Sequence, residues 1–394
     1  MNYPLLQPDN SAELNLRIEK IRKEMNSAAI DALLIGATPN AFYLTGGIYN
    51  GFAYIPAEGE PRFFFIPPCE SKSPLTKSVR KPELIAPMLI EEGYEMPKRL
   101  GLELDDLTYS EVERLKKCFP GSETANGSAV MRKARMIKTE AEIKAMEEDG
   151  RKQAAVYSRI RHCYQEDMTD IEFQIEIERL LRREGCLGFL RAAGRRMEIN
   201  MGSLLAGDNA DVPSPYDFSM GGAGADPSLP GGASGAIMKP GMTVMVDMNG
   251  GFNGYQTDMT RTWSIGTPSD LSLRSHECSL AILHDLEKFA RPGMEAGELY
   301  RRAVALADDA GLSEYFMGHR HKVAFIGHGV GIELNEGPVL MDRSRQPLEE
   351  NMTLAIEPKF VIPGVGATGI ENTYVVTAGG LRNITVLDEG LNEL

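Results

Sequence analysis

The sequence predicts an α+β protein of two domains, a smaller α/β domain over residues 1–128 and a larger domain of helices and β-hairpins over residues 129–394. Three observations carry this. A chain of 394 residues is long for one hydrophobic core and comfortable for two. A turn-rich stretch, FPGSETANGS, interrupts the pattern near Pro120 to Ser128 and reads as a linker. Helical and extended patterns alternate before it, whereas strands after it come in pairs across short glycine-rich turns.

In the first domain an amphipathic stretch from Leu14 to Met25 predicts a helix, and the apolar run Asp31 to Ile35 a strand. The segments AFYLTGG, GFAYIP and RFFFIPP follow, continuing the alternation of helical and extended patterns. Past the linker, Thr139 with Glu142 is a capping-box pair that opens the long helix KTEAEIKAMEEDGRKQAAVYSRI. Thr169 with Glu172 repeats the device, and Phe173, Ile177, Leu180 and Leu181 then fall at helical spacing on a face that packs against a sheet. From Ala206 to Gly235 the chain turns to Gly, Pro, Ser and Asp, which cannot bury enough apolar surface to form a core element. It reads as a long loop, either a lid or wall of a pocket or a disordered insertion.

Composition narrows the function classes. Hydrophobic residues at 42% and charged residues at 25% are those of a soluble globular protein, and no apolar run is long enough to span a bilayer. The N-terminal segment has no basic-then-apolar secretory pattern, so a cytoplasmic protein is expected. Five cysteines, Cys69, Cys118, Cys163, Cys186 and Cys278, form no zinc-binding spacing and read as reduced thiols. A net charge of −14 disfavours nucleic acid and anionic membrane and points to small molecules or peptides as partners.

The chemistry is concentrated in two acidic hairpins. TVMVD ends in Asp247, and the strand from Gln256 to Trp263 returns across GGFNG; a turn centred on Phe252 and Asn253 sets Asp247 opposite Asp258. LAIEPKFVI and TGIENTYVV flank IPGVG, and a turn centred on Gly364 sets Glu357 opposite Glu371. Like charges facing each other on adjacent strands destabilise a sheet, and more so among Val, Ile and Met. Positive charge must lie between them, and two divalent cations held about 3.5 to 4 Å apart would both neutralise the carboxylates and activate a water. His328, flanked by glycines in GHGVGIELNEGP, supplies the nitrogen ligand that such sites usually include.

These segments, VDMNGGFNGYQTDMTRTW, GHGVGIELNEGP, AIEPKF and GIENTYVV, resemble the pita-bread metallopeptidase family, which includes methionine aminopeptidase, aminopeptidase P, prolidase and the metal-free creatinase. The family's ligands are Asp, Asp, His, Glu and Glu, and the matching positions are Asp247, Asp258, His328, Glu357 and Glu371. NAFYLTGG extends the resemblance to the family's smaller N-terminal domain. It implies a C-terminal pita-bread domain, two divalent metal ions (manganese, cobalt or zinc), and a metal-bridging hydroxide that attacks a peptide carbonyl with Glu357 as catalytic base. It also implies Xaa-Pro aminopeptidase or dipeptidase activity and a homodimer. A small-molecule amidohydrolase or lyase acting on a carboxylate, and a non-catalytic binding module, are the alternatives on the same scaffold.

Three substrate-handling positions depart from the family. The histidine of its HExP stretch falls at Asn335, another histidine at Pro230, and an arginine two residues before the last glutamate at Gly369. Candidate replacements as substrate contacts are Asn335 itself, Tyr255, and Arg191, Arg195 and Arg196 of the basic segment FLRAAGRRMEIN. Loss of a positioned acid or oxyanion donor costs about 10²- to 10³-fold in rate unless another group replaces it.

Overall fold

The computed structural model describes residues 11–69, 71–194 and 197–394. They form two compact units, divided between Arg135 and Met136.

In the first unit, six strands form one mixed sheet: β1 (Ala32–Ile35), β2 (Gly51–Pro56), β3 (Arg62–Phe65), β4 (Thr76–Ser78), β5 (Arg99–Leu102) and β6 (Glu123–Asn126), in the order β4-β3-β2-β1-β5-β6. Helices α1 (Ala12–Ser27), α2 (Thr38–Thr45), α3 (Ile85–Glu91), α4 (Tyr109–Cys118) and α5 (Ser128–Met136) alternate with them. Most of AFYLTGG is the end of α2, with Pro39 in its first turn and Gly46 closing it in the left-handed conformation, φ +69°. The boundary between units falls after most of α5 rather than before it. Arg135 donates to Asn40 Oδ1 at 2.7 Å and the Tyr43 hydroxyl to the Ala134 carbonyl at 3.4 Å, which ties α5 to the first unit.

The second unit opens with α6 (Glu140–Tyr157) and α7 (Asp170–Arg183), both started by the expected capping boxes at Thr139 and Thr169. Phe173, Ile177 and Leu181 are buried on the face of α7 that packs on the β7 side of the next sheet. That sheet contains β7 (Gly202–Ala206), β8 (Thr243–Met248) and β9 (Thr260–Ser264). Helices α8 (Asp270–Phe289) and α9 (Ala296–Asp309) follow. The chain then runs through β10 (Gly327–Gly329), β11 (Glu336–Val339), β12 (Thr353–Ile356), β13 (Lys359–Ile362), β14 (Gly366–Gly369), β15 (Asn372–Thr377), β16 (Gly380–Asn383) and β17 (Asn392–Glu393). Three sheets result, β11-β10-β12-β15-β16, β13-β14 and β17-β9-β8-β7. One apolar cluster packs α8 and α9 against the β12 to β15 side, and a second packs α6 and α7 against β7 to β9. This is the pita-bread arrangement with a smaller mixed domain before it, as the sequence predicts. No helix among the described residues is long and apolar enough to cross a membrane.

The register of the two acidic hairpins differs in its agreement with expectation. Lys359 pairs with Gly369 and Ile362 with Gly366, and beyond them Ile356 pairs with Asn372, so the expected register runs through both ribbons with Glu357 and Glu371 between them. In the other hairpin Asp247 pairs with Thr260, not with Asp258. Gly250 lies opposite Thr257, which centres the turn on Asn253 and Gly254, one residue later than expected. Gly254 takes φ +89°, and the Asn253 side chain accepts from the Tyr255 N–H at 3.2 Å, so the Asn-Gly pair sets the turn. Moving the centre by one residue moves each partner by two, and the faces are conserved.

Candidate metal centre

Asp247 stands on β8, Asp258 just before β9, His328 on β10, and Glu357 and Glu371 at the breaks β12/β13 and β14/β15. The second unit brings all five together as two groups whose ligand atoms lie within 4.8 Å of one another: Asp258, His328 and Glu371, and Asp247, Glu357 and Glu371. Glu371 belongs to both.

Each ligand is held by backbone and by buried polar side chains. The Thr260 hydroxyl donates to Glu371 Oε2 at 2.7 Å, and Thr260 and Glu371 exchange backbone hydrogen bonds at 3.2 and 3.3 Å. Buried Arg261 donates to the carbonyls of Thr260 and Glu371 at 2.8 and 2.9 Å and to Asn372 Oδ1 at 3.0 Å. Thr373 Oγ1 accepts from the Asp258 N–H at 2.8 Å and donates to its carbonyl at 2.9 Å. The Tyr157 hydroxyl lies 2.9 Å from the Met248 N–H and 2.8 Å from the Met259 carbonyl, bridging the strands just beyond both aspartates.

His328 Nδ1 lies 3.0 Å from the Gly329 carbonyl, which can only accept, so Nδ1 carries the proton. Nε2 then turns its lone pair toward Asp258 Oδ2 at 3.8 Å and Glu357 Oε1 at 3.9 Å. Burial, then the neighbouring Asp247 and Glu357, drives the Asp258 carboxyl well above the ordinary range; burial and Asp258 do the same to Glu371. Burial also pushes Glu357 up, but the Lys359 ammonium outweighs it and holds that carboxyl below its usual value. Glu371 Oε1 is buried and has no hydrogen-bond partner. A lone pair and an unpartnered buried carboxylate oxygen converging on one point fit a divalent cation at Asp258, His328 and Glu371.

The second group is different. Lys359, fully buried, places Nζ 2.8 Å from Asp247 Oδ2, 2.7 Å from Glu357 Oε2 and 3.3 Å from Glu371 Oε2. It also donates to Ser219 Oγ at 3.1 Å. Burial lowers its pKa, yet the three carboxylates more than compensate and keep the ammonium well above its usual value. In the sequence Lys359 stands within LAIEPKFVI, the segment that leads into the IPGVG turn. The available signal was its place two residues after Glu357, on the same face of an extended chain.

The adjacent cavity is walled by Asp247, Asn249, Asp258, His328, Leu334, Asn335 and Glu357, and by Asp217 to Met220 of the glycine-rich loop. That loop is therefore a pocket wall. Asn209 braces it, accepting from the Ala223 N–H at 2.8 Å and donating to the Gly232 carbonyl at 2.9 Å.

The expected substrate contacts fare unevenly. Asn335 reaches the cavity, but its amide pairs twice with the Ala193 backbone, at 2.6 and 3.0 Å, and so anchors the segment carrying the arginines. Tyr255 is buried, does not line this cavity, and places its hydroxyl 3.1 Å from Glu142 Oε1. Arg191 lies over the Phe189 ring, 5.7 Å from its centroid, and is likewise not in the wall. Its neighbours Leu190, Met197 and Ile199 are. Arg195 and Arg196 lie outside the described residues.

Residues 144–378 match the model of metallopeptidase family M24. The chain belongs to that family. Residues 17–137 match the creatinase/prolidase N-terminal domain. Relatives of M24 type include an Xaa-Pro dipeptidase of Pyrococcus furiosus, 28% identical over 95% of this chain and 99% of that protein. One of Pyrococcus horikoshii is 29% identical over 96% and 99%. The solved prolidase from Pyrococcus horikoshii OT3 superposes with a TM-score of 0.76 at 26% identity, covering 95% of this chain and 99% of that one. Membership makes this a hydrolase of peptidase type in a family that uses divalent metal ions.

Proposed function

We propose that the chain is a metal-dependent peptidase that cleaves short peptides at Xaa-Pro bonds, as a dipeptidase or aminopeptidase. The observation that carries the reading is the convergence of Asp258, His328 and Glu371 around a buried carboxylate oxygen with no partner. A divalent cation held there, with manganese, cobalt or zinc all suited to oxygen ligands and one imidazole, supplies Lewis acidity and a water that ionises near neutral pH. Glu357, kept ionised by Lys359 against the effect of burial, is the acceptor for the proton released on attack. The Gly329 carbonyl fixes the His328 tautomer, and Thr260 and Arg261 hold Glu371 in place. A version with two cations requires the Asp247, Glu357 and Glu371 group as well, and those carboxylates hold an ammonium. Five free cysteines agree with a reducing, cytoplasmic setting, and the homodimer rests on family resemblance.

A second reading, hydrolysis or lysis of a small nonpeptidic carboxylate, is favoured by Asn335. Its commitment to Ala193 removes the donor that stands where the family has a histidine. The test is to load the purified protein with each metal in turn and assay Xaa-Pro dipeptides and tripeptides beside a panel of amide and carboxylate metabolites. Chelator-sensitive turnover of the peptides supports the first reading. Metal-replete protein that leaves every peptide intact removes it.

A further inference from the structure

We propose that the Lys359 ammonium is a built-in occupant of one of the two cation places, so that each chain takes a single divalent ion, at Asp258, His328 and Glu371. The inference rests on the metal-dependent reading above. The three carboxylates that could form a second metal site, Asp247, Glu357 and Glu371, are the three that Nζ touches, at 2.8, 2.7 and 3.3 Å. An ammonium has three N–H donors, and with Ser219 Oγ at 3.1 Å as a fourth neighbour its donor capacity is filled.

The fold makes room for this side chain. Lys359 pairs across the ribbon with Gly369, where a Cβ would lie 3.0 Å from Lys359 Cγ and 2.7 Å from the Pro358 carbonyl, at a backbone φ of +146°. A glycine opposite lets the lysine stem lie flat against its partner strand. Because Lys359 is fully buried on a strand whose four residues are all buried, no solvent-side position is open to its charged end without moving the strand.

Charge balance agrees. Four carboxylates, Asp247, Asp258, Glu357 and Glu371, meet one ammonium, and one divalent ion then leaves a single negative charge in the centre. A second divalent ion would give a net positive buried centre and set like charges against each other at carboxylate-sharing distance. Meanwhile Glu371 divides its oxygens: Oε2 serves Lys359 and Thr260, and Oε1, buried and unpartnered, is left for the ion.

The experiment is a manganese titration of the full chain, read by elemental analysis after gel filtration and by electron paramagnetic resonance. The native protein is expected to saturate at one ion per chain with the six-line spectrum of an isolated Mn²⁺. Lys359→Ala, prepared with manganese present, is expected to take two ions with an exchange-coupled spectrum. Two coupled ions in the native protein would overturn the Lys359 inference and leave the metal-dependent reading standing. No bound ion in either protein would overturn both. The native arm decides the inference by itself if the variant does not fold.

Discussion

At the scale of single residues the centre depends on groups that never touch an ion. Thr260 gives its hydroxyl proton to Glu371 Oε2 and thereby orients the oxygen left over. Thr260→Val removes only that donor, and such partners of metal ligands are worth about 10- to 100-fold in affinity. A competition titration with a fluorescent chelator should show at least about a tenfold weaker Mn²⁺ constant, and an unchanged constant would remove the role assigned to Thr260. Asp149 is a second case. Its carboxyl is buried, accepts from the Phe252 N–H at 2.6 Å, and lies 3.2 Å from Thr257 Oγ1, which in turn donates to Gln153 Oε1 at 2.8 Å. With the Thr257 proton directed at Gln153, Asp149 completes the chain best when protonated, and burial raises its pKa from 3.8 to about 7. A raised carboxyl favours the folded state below the unfolded value and loses that contribution as pH rises through the folded one. Stability should therefore fall between about pH 4 and pH 7, by up to about 1.4 kcal/mol per unit. Asp149→Asn, which can donate to Thr257 permanently, should flatten that slope in urea denaturation, and parallel slopes for the two proteins would contradict the assignment.

At the scale of elements, the acidic hairpins are the functional unit. Tyr157 reaches from α6 to bridge Met248 and Met259 beside the two aspartates. Tyr157→Phe strands buried backbone groups at a cost of about 1–3 kcal/mol and lets the strand ends separate. Lower stability in chemical denaturation together with weaker metal binding is the expected pair of effects; lower stability with full-strength binding would confine Tyr157 to a packing role. The legibility of these elements in the sequence follows their turns. IPGVG allowed one tight connection, so Glu357 and Glu371 were placed correctly. GGFNG allows more than one, and the structure takes the centre on the Asn-Gly pair, the stronger turn signal, rather than the centre that sets the aspartates face to face. A shift of two residues keeps the side chains of Asp247 and Asp258 on one face, so the two stay close in either register. AFYLTGG belongs to a short helix that the apolar run alone does not reveal; Pro39 in its first turn and Gly46 at its end carry the information. Lys359 is hard to read because a lone lysine in an apolar strand is ordinarily an edge or solvent residue, and its place two residues after Glu357 is the one local sign of its role. Only the assembled ribbon shows three carboxylates waiting for it.

At the scale of the whole molecule, the first unit carries one sheet and the second three, each unit has its own apolar packing, and every candidate ligand comes from the second unit. Binding to one unit stabilises that unit by mass action, by about 2.7 kcal/mol at a hundredfold excess over the dissociation constant. Calorimetry should resolve two transitions, of which only the one belonging to residues 136–394 rises with Mn²⁺ and falls with chelator. Equal shifts in both, or one merged transition that ignores metal, would mean that the ion is not held by the second unit alone.

The ribbon that carries Glu357 and Glu371 ends in a tip where Pro363 and Gly364 are exposed, while residues 366–376 behind it are buried throughout. A strand clamped on both sides cannot slide, so extra length added at the apex has only one way to go, outward. A Gly-Ser insertion between Pro363 and Gly364 should leave the manganese constant within about twofold of native, whereas slippage would abolish binding. Such an apex is a ready attachment point for a spectroscopic label, since whatever is grafted there rides on the same rigid arm as both glutamates and reports their displacement together.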